Sequence, residues 1–349
     1  MSVPRVSVLM PVSNGLRWLR EALASLSSQT FRDIEILALD DGSTDGTAEV
    51  LASWPDPRLR TIRTGGIGVG AALALGLREA RAPLVARQDA DDSSMPERLE
   101  RQVAFLNRYR HIDLLGCCAE YVDENGDPLE NDWVRTIRAQ QDGAVTPAQI
   151  RDLMPLSCCL THGSVVARAD ALREAGGYRA EAAPAEDYDL WLRLLPEREL
   201  AKLPERLYRH RVHAARASAE TSADHARQTI AAKLAYVRRV MPGLSEDAKL
   251  MIVGDAGERD DYRAAAAASG FAVVAPRATL EGNYLTLLAR PAVRRWALEG
   301  WDVLAVADAD ALAAYGTKFS DTGERGLVRI GNLFVKQEYA QDTRLAAAA

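Results

Sequence analysis

Along the first ninety residues, short apolar runs alternate with stretches whose apolar positions recur every three or four residues. Val6 to Val12 is an apolar run that closes on Ser13-Asn14-Gly15, a turn and helix-cap signal. Trp18, Leu19, Ala22, Leu23 and Leu26 then fall on one helical face. Ile34 to Leu39 reads as a second strand, followed by a helix through Leu51. Leu59 to Thr64 gives a third strand, Ala71 to Ala80 a helix, and Leu84 to Arg87 a fourth strand. Strand and helix alternate with short links, which predicts an α/β fold: a mostly parallel sheet with flanking helices.

The pattern continues less regularly. Leu114 to Val122 reads as a strand, Asp123 to Asp127 as a turn, and Trp133 to Gln149 as a polar loop with a helix starting after Thr146-Pro147. Leu156 to Val166 is strand-like, and the helix Asp170 to Ala175 stops at Gly176-Gly177. An amphipathic helix begins at Glu186-Asp187. Thr221 to Met241 is helical, with Ile230, Leu234, Val237 and Val240 on one stripe and Pro242-Gly243 ending it. A second, smaller α/β domain follows: strand Leu250 to Val253, helix Asp260 to Ala268, strand Phe271 to Val274, helix Ala292 to Leu298 and strand Val303 to Ala307. The expected domains are therefore 1–215, a helical linker 216–243, a small α/β domain 244–338 of unassigned role, and a disordered tail 339–349.

Composition narrows the class. The 349 residues are 48% hydrophobic and 26% charged, enough apolar content for a sizeable core. A net charge of −6 argues against nucleic acid as a partner, because a binder would carry a basic face. No apolar run reaches membrane-spanning length, and the start lacks a secretory pattern. The expectation is a cytoplasmic protein with at most peripheral membrane contact. The four cysteines form two adjacent pairs, Cys117-Cys118 and Cys158-Cys159, which suit buried reduced thiols in strands better than a zinc site.

The candidate chemistry lies where strands end. Asp89-Ala90-Asp91-Asp92 follows the fourth strand and precedes Ser94-Met95-Pro96-Glu97, which reads as a capping box. Asn14 and Asp40-Asp41 occupy the same position after the first two strands, so a parallel sheet gathers all three groups along one edge. Crowded carboxylates repel one another, and hard oxygen ligands suit a divalent cation such as Mg²⁺ or Mn²⁺ that tethers phosphate oxygens. Gly65 to Gly70 lacks the spacing of a dinucleotide fingerprint and reads as a flexible loop over the site. Glu186 and Asp187 sit at the positive end of a helix, where a general base can be held. Asp308-Ala309-Asp310 is read as a helix cap, since no second acidic pair accompanies it.

Taken in order, these motifs resemble the family-2 glycosyltransferases, inverting enzymes of GT-A fold that use nucleotide sugars. The matching pieces are Val8 to Asn14, Gln29-Thr30-Phe31, Asp40 to Asp45, Ala86 to Asp92, Pro96 to Leu99, Gly176-Gly177-Tyr178, Glu186 to Trp191 and Arg211-Val212-His213. The resemblance covers residues 4 to about 215. It implies that Pro11, Val12, Ser13 and Asn14 wrap the nucleotide and that Asp41, with Asp40 beside it, meets the base. It further implies that Asp89 lies on the ribose side, with Ala90 in the same turn, and that Asp91 is the main metal ligand of an Asp-x-Asp motif. Asp187 is similar to the family's catalytic base, with Glu186 supporting it. Arg211 and His213 match residues near the diphosphate or metal, and His213 is a candidate second ligand. His162 is read as a hydrogen-bonding or phosphate-contact residue, and Trp191 as core.

Two positions depart from the family pattern: Ala74 where an asparagine is common, and His210 where a tyrosine is. The implied partners are a nucleotide-diphosphate sugar, a UDP-sugar first, and a hydroxyl-bearing glycan, lipid-linked or other acceptor. Polysaccharide or glycoconjugate biosynthesis is the implied setting. The alternative is a nucleotide-sugar-binding or scaffolding protein that has lost activity. Retention of Asp91 together with Asp187 favours the enzyme.

Overall fold

A computed structural model describes residues 3–214, 222–253, 256–274, 303–306, 327–330 and 333–336. It forms two compact units, Met1–Thr221 and Ser222–Ala349.

The first unit begins with β1 (Val6–Val12), α1 (Leu16–Ser27), β2 (Ile34–Asp41), α2 (Thr47–Ser53), β3 (Leu59–Thr64), α3 (Val69–Glu79) and β4 (Leu84–Arg87). β1 pairs in parallel with β2 and β4, and β2 in parallel with β3. β1 and β2 are buried along almost their whole length, which is why they read as unbroken apolar runs. On α1, Leu19, Leu23 and Leu26 are fully buried, each contributing about 1.5–3 kcal/mol.

The remaining elements extend the sheet. They are β5 (Ser93–Ser94), α4 (Arg98–Arg108), β6 (Ile112–Val122), α5 (Asp132–Asp142), α6 (Pro147–Leu153), β7 (Val166–Arg168), α7 (Ala169–Glu174), α8 (Glu186–Leu194) and β8 (Glu199–Arg211). The strand order is β3-β2-β1-β4-β7-β6-β8-β5. β7 runs antiparallel to β4 and β6, β8 is parallel to β6, and β5 is antiparallel to β8. The sheet is thus mostly parallel, as its strand–helix alternation predicts.

Four local expectations are corrected. Ser93-Ser94 form a strand instead of a helix cap: Ser94 Oγ donates to Gln88 Oε1 (2.6 Å), and α4 starts without a side-chain cap. The polar stretch after Asn131 contains a helix, α5, because Asn131 caps Val134 and Val134 is fully buried. Leu156 to Val165 is not a strand; it holds a 3₁₀ turn, His162–Ser164, pinned by Ser164 N–H and Oγ–H on the Thr161 carbonyl. Cys158-Cys159 therefore lies in irregular chain, whereas Cys117-Cys118 is in β6. All four cysteines are free, and burial pushes the Cys117 thiol up to about 12 and the Cys118 and Cys159 thiols to about 11.

The second unit contains α9 (Ser222–Val240), β9 (Lys249–Val253), α10 (Ala256–Ala268), β10 (Ala272–Val274), β11 (Val303–Val306), β12 (Leu327–Ile330) and β13 (Leu333–Lys336). Its sheet order is β10-β9-β11-β13-β12. The stretch expected to be a helical linker, 216–243, contains α9. α9 packs against α10, and its Leu234 and Val237 are completely buried. The expected helix Ala292 to Leu298, the Asp308-Ala309-Asp310 motif and the tail 339–349 lie outside the described residues.

Candidate active site

The turns after β1 and β2 are stitched together. Asn14 adopts φ 50°, a left-handed conformation that asparagine tolerates better than most residues. Its Oδ1 accepts from Thr44 N (2.9 Å), and its own N–H donates to Ser43 Oγ (2.9 Å). Pro11 is half-buried, Val12 buried and Ser13 exposed at the strand end. Asp40 is fully buried and closes its own turn, accepting from Ser43 N (3.1 Å) with Arg63 Nε at 3.6 Å. Asp41 instead gathers the glycine loop: Thr64 Oγ1, Ile67 N and Gly68 N all donate to it, at 2.5, 2.7 and 2.7 Å. Burial would raise the Asp41 carboxyl, but these donors outweigh it and hold the group below its ordinary range. The loop is therefore anchored to Asp41 and not free.

The Asp89 to Asp92 turn is built by residues around it. Gln88 Nε2 donates to the carbonyls of Asp89 (3.1 Å) and Asp92 (3.0 Å). Tyr208, from β8, accepts from Asp89 N (3.2 Å) and donates to Asp92 Oδ2 (2.9 Å). Asp92 is buried and also accepts from Arg211 N (2.7 Å), with His210 Nδ1 at 3.4 Å, so it fastens the turn to β8. Ala90 and Asp91 are half-buried at its tip. Asp91 Oδ2 meets His213 Nε2 at 2.8 Å, and the His213 ring lies tilted against Trp18 at 4.1 Å between centroids. The Arg211 guanidinium is turned inward, donating to the Asp91, Asp123 and Glu124 carbonyls and to Glu21 Oε2 (2.5 Å).

Across from this turn, α8 presents Glu186 and Asp187 in its first turn. Asp187 Oδ1 accepts from Tyr188 N (2.7 Å), and its side chain is 21% exposed against 8% for Glu186. His162 Nδ1 stands 3.8 Å from Glu186 Oε1 and 4.0 Å from Asp187 Oδ2. Its Nε2 accepts from Arg87 Nε (3.1 Å) and lies 3.0 Å from Tyr178 Oη. Arg87 in turn donates to Asp89 Oδ1 (2.6 Å). Asp89, Arg87 and His162 are thus joined by hydrogen bonds, and the far side of the His162 ring faces Glu186 on the helix at 3.8 Å. Arg98 supports this run from beneath, donating to the Gly163 carbonyl (2.6 Å) and the Arg87 carbonyl (3.0 Å). Only glycine fits at Gly163: a Cβ there would lie 1.9 Å from Tyr208 Oη and 2.8 Å from Asp89 Oδ2.

Burial, and then the Asp187 charge, raise the Glu186 carboxyl well above its ordinary value. Above the ordinary carboxyl range the folded state therefore holds a proton on Glu186 that the unfolded chain has lost. Stability should then fall as pH rises from about 4.3 toward the raised value. Glu186→Gln should flatten that slope in melting temperatures measured from acid to neutral pH. An unchanged slope would show that Glu186 is not the proton-holding group.

Arg87, Gln88, Tyr178 and Tyr208 escape sequence reasoning as site residues. The signal that could have found Arg87 and Gln88 is a pair of polar residues at the end of a buried strand, where an apolar pair is expected. Tyr208 gives no such signal, since an aromatic residue in a strand reads as core.

A sequence profile of glycosyl transferase family 2 matches residues 7–174. EpsE of Bacillus subtilis (strain 168) is 36% identical over 203 residues, 56% of this chain and 68% of EpsE. The chain belongs to glycosyl transferase family 2. A Rickettsia prowazekii (strain Madrid E) protein named as an uncharacterized glycosyltransferase is 29% identical over 214 residues, 61% of this chain and 65% of that one. A Rickettsia felis relative of the same description is 32% identical, over 55% of this chain and 31% of its own. The chain thus spans less than two thirds of either Rickettsia protein.

Among solved structures, S. aureus TarS 1-349 in complex with UDP-GlcNAc superimposes with a TM-score of 0.54 at 20% identity, covering 67% of this chain and 66% of that one. The mannosyltransferase PcManGT from Pyrobaculum calidifontis, in complex with GDP-Man and Mn²⁺, gives 0.53 at 19% identity over 92% and 89%. These likenesses establish the GT-A fold for this family-2 chain. Among its described residues no helix is long and apolar enough to cross a membrane.

Proposed function

We propose that this family-2 protein is an inverting glycosyltransferase, moving a sugar from a nucleotide-diphosphate sugar, a UDP-sugar first, to a hydroxyl of a glycan, lipid-linked or other acceptor. The observation that carries this reading is the hydrogen-bonded run Asp89–Arg87–His162, whose His162 Nδ1 faces the Glu186–Asp187 pair at 3.8 and 4.0 Å. Donor-side and acceptor-side acids are held in one frame, as an in-line displacement requires. In that reaction Asp187 takes the proton from the acceptor hydroxyl and the oxygen attacks the anomeric carbon. The bond to the diphosphate breaks on the opposite side, so the sugar inverts and the nucleoside diphosphate leaves with the electron pair. The turns bearing Pro11 to Asn14 and Asp40-Asp41 form the nucleotide edge. Arg211 acts by holding the Asp91 backbone, since its guanidinium is committed to protein oxygens.

The residues present fit a divalent cation of the Mg²⁺ or Mn²⁺ kind. Asp91 and His213 offer one oxygen and one nitrogen ligand 2.8 Å apart. Among the described residues no group of three or more His, Cys, Asp or Glu could hold an ion alone, so diphosphate oxygens and water would complete the shell. When bound, such an ion supplies Lewis-acid stabilisation of the leaving diphosphate. By calorimetry, UDP affinity in Mn²⁺ should fall roughly tenfold or more with EDTA or with Asp91→Ala, the scale on which disturbed metal sites lose affinity. Equal affinity in all three conditions would sink the metal role.

A further inference from the structure

The hydrogen-bonded run Asp89–Arg87–His162 ends on a histidine whose chemistry is fixed by its neighbours. An arginine Nε–H can only donate, so the His162 Nε2 that faces Arg87 Nε at 3.1 Å must carry a lone pair. The ring proton of neutral His162 then belongs on Nδ1, the atom facing Glu186 Oε1 and Asp187 Oδ2 at 3.8 and 4.0 Å. These separations are longer than a hydrogen bond, but they are of the kind that tightens when substrate orders a site. The ring itself is clamped. Tyr178 lies tilted beside it at 5.6 Å, and fully buried Trp191 stands edge-on at 5.8 Å. Glu186 Oε2 is buried and has no hydrogen-bond partner among the described residues.

We propose that His162 is a positioning residue for the Glu186–Asp187 pair, held in its Nδ1-protonated form by Arg87. The Arg87 guanidinium that grips Asp89 through one nitrogen thereby sets the geometry of the acceptor-side acids through another. Burial and the adjacent Arg87 charge keep the His162 pKa well below its ordinary value, consistent with a neutral donor. His162 touches neither donor nor acceptor in this role; it acts through Asp187. The proposal rests on the assignment of Asp187 as base.

Two measurements on the full chain test it. Nitrogen-15 NMR of the histidine-labelled protein, with the His162 signals assigned by their loss in His162→Gln, should show a protonated Nδ1 and a lone pair on Nε2. A proton on Nε2 would overturn the proposal. The second measurement is UDP release from UDP-GlcNAc with water as acceptor. His162→Gln should lower kcat by roughly ten- to a hundredfold, the scale for losing an orienting partner, with KM near wild type. His162→Asn, whose amide nitrogen can sit near the place of Nδ1, should recover part of the loss.

In an Asp187→Asn background, His162→Gln should cost little more, because both changes disable one unit. Losses that multiply would show a separate, merely structural role and overturn the proposal. If His162→Gln does not fold, His162→Asn takes its place in the cycle. If Asp187→Asn alone leaves turnover unchanged, the base assignment fails, and the tautomer still decides whether Arg87 sets the His162 ring.

Discussion

Asp187→Asn is expected to slow sugar transfer by about two to four orders of magnitude, the scale for removing a general base. The substitution keeps the shape of the side chain and the oxygen that accepts from Tyr188 N, so the start of α8 should survive. What it removes is the capacity to take a proton. Glu186 is a poor substitute, because it is the more buried of the pair and its carboxyl is raised toward the protonated form. UDP affinity should change little, since Asp187 sits on α8 and the nucleotide edge proposed above lies at the turns after β1, β2 and β4. Turnover near wild type with the true acceptor would refute the assignment, and Glu186→Gln would then be the next comparison.

Further along the same helix, a different outcome is expected. Arg193→Ala should lower the unfolding free energy by about 3–5 kcal/mol, the cost of stranding one member of a buried ion pair. Arg193 and Asp189 are both about nine-tenths buried, joined by Nε and Nη2 at 2.9 and 2.6 Å from Asp189 Oδ2. The same guanidinium donates to the Gly177 carbonyl (2.6 Å) and to the Ala175 carbonyl. Those carbonyls belong to the turn where Gly176 and Gly177 take φ of 88° and 64°, conformations that glycine adopts without strain. Removing Arg193 leaves a buried charge and two carbonyls without this donor, and it releases α8 from the turn that sets its position.

Arg193→Lys should recover only part of the loss, because an ammonium cannot span three acceptors in one plane. Denaturant unfolding measures both variants. An Arg193→Ala protein within about 0.5 kcal/mol of wild type, the range of ordinary surface changes, would show that the pair is not structural. Asp187→Asn and Asp189→Asn thus make a clean contrast. The first should reduce turnover at unchanged stability, the second stability before turnover.

The early strands and helices are legible in the chain because each is decided locally. β1 and β2 are buried on both faces and so are apolar throughout, while α1 has one wet face and shows its period. Strand polarity follows from the short links, and with it the gathering of Asn14, Asp41 and Asp89 along one edge. The acids at the start of α8 are legible for the same reason: a helix N-terminus announces itself in sequence.

β8 is different. It carries Pro204, which cannot donate to the ladder, and the structure absorbs the proline at a register shift opposite Cys117 and Cys118. That strand delivers Tyr208 and Arg211 from more than a hundred residues away to the Asp89–Asp92 turn, so their roles depend on pairing that no local pattern records. The fate of each carboxylate is likewise decided by distance in space. Asp92 is bound inward by Tyr208 and Arg211, and Asp41 is claimed by the glycine loop. Sequence placed the acids at the strand ends and at the helix start. Only the tertiary structure decided which of them hold the frame, and that Arg87 and His162 stand between the two sides, because hydrogen-bond partners of a buried group are chosen by packing and not by neighbours along the chain.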